Sequence, residues 1–417
     1  MNSSSSSGAQ RSPGSTWRRL AAFASAALLV GAAAAQEALR PEVGRPLQAA
    51  QELVKAQRYK EALVKVRDAD AVGGKNAYES FMVERMRIAA ASGAGEVDTA
   101  ARSYEALSGS NRVPAADKIR MLESITGGYY RAREYSKSMQ WGQRYFREGG
   151  TSPSIRTLLI QSQYLSGDFS GAAKELTTEI QAAERSGTPP GEDRLKLLLN
   201  AALKMNDNNS YVYAMEKLVT YYPKKEYWVD LLSRLQRKPN FSDRLSLDTY
   251  RLSLASGSMT AATDYMEMAQ LALQADFAAE SKQVLDKGFA SGVLGTGAQA
   301  DRQKRLRDLV AKKLDEDKRT LAEDERQALA AKDGNALVNV GMNLVFNGQG
   351  ARGVKLMQEG IAKGGLKRPE DAKLHLGIAY LVAGDNAKAQ AAFKTVSGND
   401  GTGDLARLWS LYGRRKA

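Results

Sequence analysis

His375 is the sole histidine among 417 residues, and there is no cysteine. Clusters of histidine or thiolate that hold a metal therefore cannot form, and any triad or general-base scheme would rest on His375 alone. The other group with chemical potential is carboxylate. Asp315-Glu316-Asp317 could supply the acid and base of a glycosidase, but it sits beside Lys312-Lys313 among charges of both signs at helical spacing, the pattern of a solvated helix face. No glycine-rich loop leads into a lysine followed by serine or threonine, and no dinucleotide fingerprint follows a strand-like run. The inventory implies a chain that is no enzyme and uses no cofactor or metal; its task is binding.

The elements that would position a binding surface are helical. Hydrophobic residues make up 43% of the chain and charged residues 26%, ample for a buried core, and there are only 10 prolines. Alanine, leucine, lysine, arginine and glutamate dominate, the mixture that favours helix. The length exceeds what one hydrophobic core usually serves, which favours several domains or a solenoid.

The first residues read as a targeting segment. A serine-rich start precedes Trp17-Arg18-Arg19 and an apolar run from Leu20 to Ala35 that ends in alanines, shorter than a membrane span and ending as signal peptidases require. Residues 1–35 are thus expected to be a signal peptide, giving a periplasmic protein with peripheral or no membrane contact. The alternative is an uncleaved anchor that tethers the same chain to the inner membrane. Arg18-Arg19 also permits the twin-arginine route, although the flanking residues suit general secretion better. Absence of cysteine excludes a lipoprotein anchor. The net charge is +13; the leader holds three of the positives, Arg11, Arg18 and Arg19, and no acid, which leaves +10. Export removes nucleic acid as a partner, so the charge points to an acidic protein, anionic lipid or cell-wall polymer.

Internal repetition is the strongest signal. Leu376-Gly377, Tyr380, Gly384-Asp385, Ala389 and Phe393 have the types and spacing of a tetratricopeptide repeat, and the chain resembles that family there. One repeat earlier stand Val340-Gly341, Leu344, Gly348, Gly353 and Met357, a looser match. In this pattern the glycine of the first helix permits close approach, Leu376 and Tyr380 fill the core, and Ala389 sits where the helices cross. Weaker units occur around Gln57-Arg58-Tyr59, Arg133-Glu134-Tyr135, Gly167-Asp168-Phe169, Asn208 to Leu218, and Asp276-Phe277. Such hairpins cannot bury their apolar faces alone, so an all-α superhelical solenoid is expected. Residues 36–298 read as a degenerate array and 299–333 as a charged helical connector, with Gly292 to Gly297 as a flexible break. Residues 334–417 read as a regular repeat pair capped by a helix over Leu405 to Tyr412.

Two surfaces are candidates for binding. Val338, Met342 and Phe346 form one helical stripe, and Leu374, Ile378 and Leu381 another, where the concave face of such an array would lie. The same stripes would equally serve as inter-repeat core. Repeats that clamp a peptide carboxylate carry lysine and asparagine on this helix; here apolar residues stand instead, with Asn339 and Asn343 nearby, so an apolar, helix-in-groove contact fits better. The second surface is aromatic and basic: Tyr222, Lys224, Lys225, Tyr227 and Trp228. Tyrosine and proline also commonly close a repeat.

The segments Tyr221 to Trp228, Phe241 to Leu245, Tyr265 to Ala269 and Gly364 to Lys367 resemble periplasmic tetratricopeptide-repeat proteins found beside TonB energy-transduction components. That resemblance implies envelope protein partners, among them subunits of a TonB complex, and assigns no residue to the contact. A binder of anionic envelope polymer, peptidoglycan or lipopolysaccharide, is the alternative. Edman sequencing of the exported protein should begin at Gln36; an intact Met1 on membrane-bound material would instead support the anchor.

Overall fold

The computed structural model describes residues 38–414, so the leader and the basic residues Arg415 and Lys416 lie outside the described residues. The described residues form twenty α-helices and no strand. Two compact units divide between Thr178 and Glu179. The first holds the hairpins α1 (Pro41–Lys55) and α2 (Tyr59–Asp70), α3 (Ala77–Ala94) and α4 (Val97–Ser108), and α5 (Ala115–Arg131) and α6 (Tyr135–Arg147). It ends with α7 (Pro153–Leu165) and the start of α8 (Phe169–Arg185), within which the division falls. The first helices of successive hairpins, α1, α3, α5 and α7, pack on one another and form a layer, as stacked repeats require.

The second unit continues with α9 (Glu192–Met205) and α10 (Asn208–Tyr221), α11 (Lys225–Gln236) and α12 (Ser246–Ser256), and α13 (Ala262–Gln274) and α14 (Ala278–Ala290). The connector is one 31-residue helix, α15 (Ala300–Ala330), packed on α14 and α16. Then come α16 (Asn335–Phe346) and α17 (Gly350–Lys363), α18 (Pro369–Val382) and α19 (Asn386–Lys394), and α20 (Thr402–Arg414). The Gly292 to Gly297 segment is pinned: Leu294 is buried against Gly288, and the Gly295 N–H donates to the Gln303 side-chain oxygen at 2.7 Å.

A single backbone device makes the hairpins. The turn residues Gln57, Gly95, Arg133, Gly167, Asn206, Asp276, Gly348 and Gly384 all have positive φ. After Gly384, for example, the Asp385 N–H reaches back to the Tyr380 carbonyl at 2.9 Å, and the same bond joins Arg58 to Leu53 and Glu134 to Tyr129. This satisfies carbonyls that the helix end would otherwise leave bare, and reverses the chain in two or three residues. Every hairpin unit read from the sequence falls on such a turn; Gly95 marks a further one that the reading passed over, although Gly95-Glu96-Val97 followed by Ala100 has the same form. Only α11 and α12 are joined otherwise, by a longer loop containing a 3-10 turn at Asp243–Leu245.

Five residues past the turn stands a small, buried residue: Ala62, Ala100, Ser138, Ala172, Ser281, Gly353 or Ala389. There the two helices touch. A serine keeps its hydroxyl satisfied by donating to the opposite helix, Ser138 to the Thr126 carbonyl at 3.1 Å and Ser281 to the Ala269 carbonyl at 2.8 Å. The exception is Tyr211, whose ring is covered by the Arg234 guanidinium 3.6 Å from its centroid. At the repeat of α16 and α17 both contacting residues are glycine, and a Cβ on Gly341 would lie 2.6 Å from the Gly353 carbonyl oxygen. Tyr380, Ala389 and Phe393 are buried as the repeat pattern demands, and Gly377 lies against the Phe393 ring. Leu376, read as core, is only half-buried; Leu374, two residues before it, is fully buried.

The Gly341→Ala variant should lose roughly 2–3 kcal/mol in urea unfolding, because the added methyl must push two backbones apart. Gly348→Ala, strained only in φ, should lose about 1 kcal/mol. Reversal of that order would show that the crossing has room to spare.

Candidate functional site

The two apolar stripes lie inside the second unit. Val338, Met342, Phe346, Leu374 and Ile378 are buried, Leu381 is half-buried and Asn339 alone is exposed. As a ready-made groove lining the stripes are therefore corrected: the chain's own helices cover them. The Phe346 ring packs edge-on against Phe277 at 6.0 Å, and the Gln283 amide donates to the Phe346 carbonyl at 2.7 Å. From α12 the Arg251 guanidinium lies 5.5 Å from the Phe346 ring centre.

Arg251 is the centre of a buried charged cluster. Its Nε and Nη2 donate to the two oxygens of Glu280 at 2.7 and 2.6 Å, and Nη1 donates to Asp248 at 2.7 Å. All three side chains are 3–5% exposed. The single histidine completes the group, with His375 Nε2 3.0 Å from Asp248 Oδ1. Burial alone would raise the Asp248 pKa, but His375 and Arg251 hold the carboxyl well below the usual carboxylate range. Burial likewise disfavours the Arg251 charge, and Glu280 and Asp248 outweigh it, raising that pKa. The arrangement fixes α12 against α14 and α18. These bonds join α12 to α14 through Glu280 and to α18 through His375.

Beside this cluster, Arg244 grips the far end of the unit. Its Nε and Nη2 donate to both oxygens of Asp371 at 2.9 and 2.8 Å, and Nη2 also reaches Asp400 at 2.7 Å. The helix over Leu405 to Tyr412, expected as a solvent cap, packs on α18 and α19 as such and also on α10 and α12. Its Leu405, Leu408, Trp409 and Tyr412 are all buried.

The aromatic and basic patch is likewise engaged. Trp228 is fully buried, and its ring meets Tyr412 at 6.4 Å. Lys224 and Tyr227 both donate to Glu192 of the preceding hairpin, at 2.6 and 2.5 Å. With Lys196, they hold the Glu192 carboxyl at about 2. The Tyr222 hydroxyl donates to the Pro190 carbonyl at 2.9 Å, and Lys225 is exposed. The patch thus locks two hairpins together, which a run of residues cannot reveal because the acceptor lies over 30 positions upstream.

The first unit keeps its layer of first helices decorated by half-exposed side chains. Arg85 of α3 bridges to Asp117 of α5 at 3.1 Å, and the Tyr130 hydroxyl of α5 donates to Gln161 of α7 at 2.8 Å. Tyr164 and Glu123 stand on the same helices, and burial pushes the Glu123 carboxyl up despite the Ser152 hydroxyl. Sequence reading passed over these residues, because mixed polar and aromatic side chains on a helix have no apolar stripe to mark them.

No family model matches the chain, nor does any curated protein. Among solved structures, the crystal structure of yeast Tom70 aligns with 90% of this chain and 96% of its own at 11% identity. The TM-score of that alignment is 0.25, too low to bear on the fold, which rests on the hairpins themselves.

Asp248 contributes stability in its charged form. With a native pKa below its ordinary value of 3.8, that contribution is complete above 3.8 and fades as pH falls through 3.8 toward the native value. Arg251→Ala, which strands two buried carboxylates, should lose about 3–5 kcal/mol at neutral pH. Asp248→Asn should flatten the loss of stability seen in urea titrations between about pH 4 and pH 3; an undiminished acid loss in that variant would place the sensitive group elsewhere.

Proposed function

We propose that this chain is a non-catalytic scaffold that binds other proteins, and that the layer formed by α3, α5 and α7 is the surface it offers. The observation that carries this reading is the stack of tetratricopeptide-like hairpins whose first helices form one continuous layer. Stacked repeats of this kind present extended surfaces well suited to a peptide or a protein face. Arg85, Tyr130, Gln161 and Tyr164 supply the arginine and tyrosine that protein contacts favour. The equivalent stripes of the second unit are turned to internal packing, which leaves the first unit as the better candidate.

The same proposal places the protein in the periplasm, with residues 1–35 as its export signal and Ala35 as the cleavage point. No helix among the described residues is long and apolar enough to cross a membrane. The resemblance of Tyr221 to Trp228 and its companion segments to periplasmic proteins of TonB loci favours subunits of that energy-transducing complex as partners.

Crosslinking in cells followed by mass spectrometry tests both parts. Tagged full-length chain should recover envelope proteins, TonB-complex subunits among them, and a chain lacking residues 2–35 should not. Replacing Tyr130, Gln161 and Tyr164 together by alanine should reduce that recovery about tenfold, as loss of a contact worth some 1.4 kcal/mol would. Recovery of cell-wall or lipid material alone, with no protein above the control, would overturn the scaffold reading in favour of polymer binding.

A further inference from the structure

The second unit joins its own two ends. Residues of α10 to α12 and the loop between α11 and α12 meet α18, α20 and the loop before α20 across more than 120 positions of sequence. The joint is rich in ion pairs: Arg244 with Asp371 and Asp400, Lys238 with Asp404 at 2.6 Å, and Arg407 with Glu216; His375 and Asp248 also meet across it, 3.0 Å apart. Most of these groups keep contact with water; Lys238 and Arg407 are 44% and 48% exposed. That differs from the join between α12 and α14, where Arg251 and Glu280 are almost wholly buried. The seam therefore runs between α12 and α18, with α12 belonging firmly to the α14 side.

Packing along the seam is incomplete. The indole N–H groups of Trp228 and Trp409 are buried and make no hydrogen bond, so the joined state leaves two donors unsatisfied. A cavity of about 30 Å³ lies between α10, α11 and α20, bordered by Glu216, Leu235, Lys238, Asp404 and Leu408. Polar joints between compact parts of a chain commonly open and close. On α18, Leu374 and Ile378, both at most 2% exposed, stand three residues after Asp371 and His375, the two side chains that reach across this joint, and so share their helix face.

We propose that this seam is a clasp held by ion pairs, and that its release uncovers the Leu374 and Ile378 face of α18 while the helices stay folded. The inference concerns the second unit alone and stands apart from the partner reading above. Its apolar face would then be available only in the released form, a device by which salt or a charged competitor regulates exposure.

The chain has no cysteine, so a single introduced thiol reports accessibility cleanly. In full-length protein, Ile378→Cys should react slowly with a maleimide, and Val382→Cys, at a position 52% exposed on the same helix, supplies the reference rate. Raising NaCl from about 50 mM to about 1 M, which shortens the screening length to about 3 Å, should accelerate the Ile378→Cys reaction about tenfold relative to the reference. Arg244→Glu should do the same at low salt, and adding Asp371→Arg should restore slow labelling. Rates that ignore both salt and Arg244→Glu would overturn the proposal. Acceleration that occurs only together with loss of helical circular dichroism would overturn it too, since the thiol would then report unfolding.

Discussion

A hairpin of two amphipathic helices has more apolar surface than its own partner helix can cover, and this shortfall organises the whole chain. Each hairpin must be finished by the next. What makes stacking possible is the tight crossing inside each hairpin, where a small residue such as Ala62, Ala100 or Ala389 lets two backbones come close. Once the crossing is tight, the side chains one turn away, Tyr104, Leu122, Tyr129 and Tyr380 among them, are directed into the neighbouring space and fill it. Serine at the crossing succeeds for the same reason as alanine, provided its hydroxyl finds the opposite carbonyl, as Ser138 and Ser281 do.

The second unit solves the remaining problem of a stack, its unfinished ends, by bringing them together. Burying Arg251 among two carboxylates is costly in desolvation, and the bidentate grip on Glu280 with a further bond to Asp248 offsets that cost. Such a cluster contributes more to register than to net stability: an apolar contact tolerates sliding, whereas three hydrogen-bonded charges do not. The outer pairs of Arg244 and Lys238 extend the same logic toward solvent, where each contributes less.

Local features were legible in the sequence because they are written within a few residues. A turn such as Gly384-Asp385, followed five residues on by Ala389, declares itself, and so do the polar Gln57 and Arg133 turns once their spacing to Ala62 and Ser138 is noticed. Helical class and repeat register followed from these. The apolar stripes Val338-Met342-Phe346 and Leu374-Ile378 were also visible, yet periodicity says only that a face is apolar and not what covers it. Phe346 is covered by Phe277, Gln283 and Arg251, and the decisive partners, Asp248 with His375 and Arg244 with Asp371, are each separated by 127 positions. Likewise the acceptor that engages Lys224 and Tyr227 is Glu192, in the helix before last. The polar surface of α3, α5 and α7 left no trace, since alternating arginine, glutamine and tyrosine look like any solvated helix.

The meeting of the two ends in the second unit has a bearing on how such a chain can change its length over generations. Open stacks grow or shrink by whole hairpins, because each module contacts only its neighbours and an extra copy merely lengthens the pile. The first unit, with its uniform turns at Gln57, Gly95 and Arg133, has that freedom. In the second, duplication or loss of one hairpin would carry Asp371 and Asp400 away from Arg244 by the width of a helix pair, and no small adjustment could bring them back. Copy number is therefore free to drift in one half of the molecule and locked in the other.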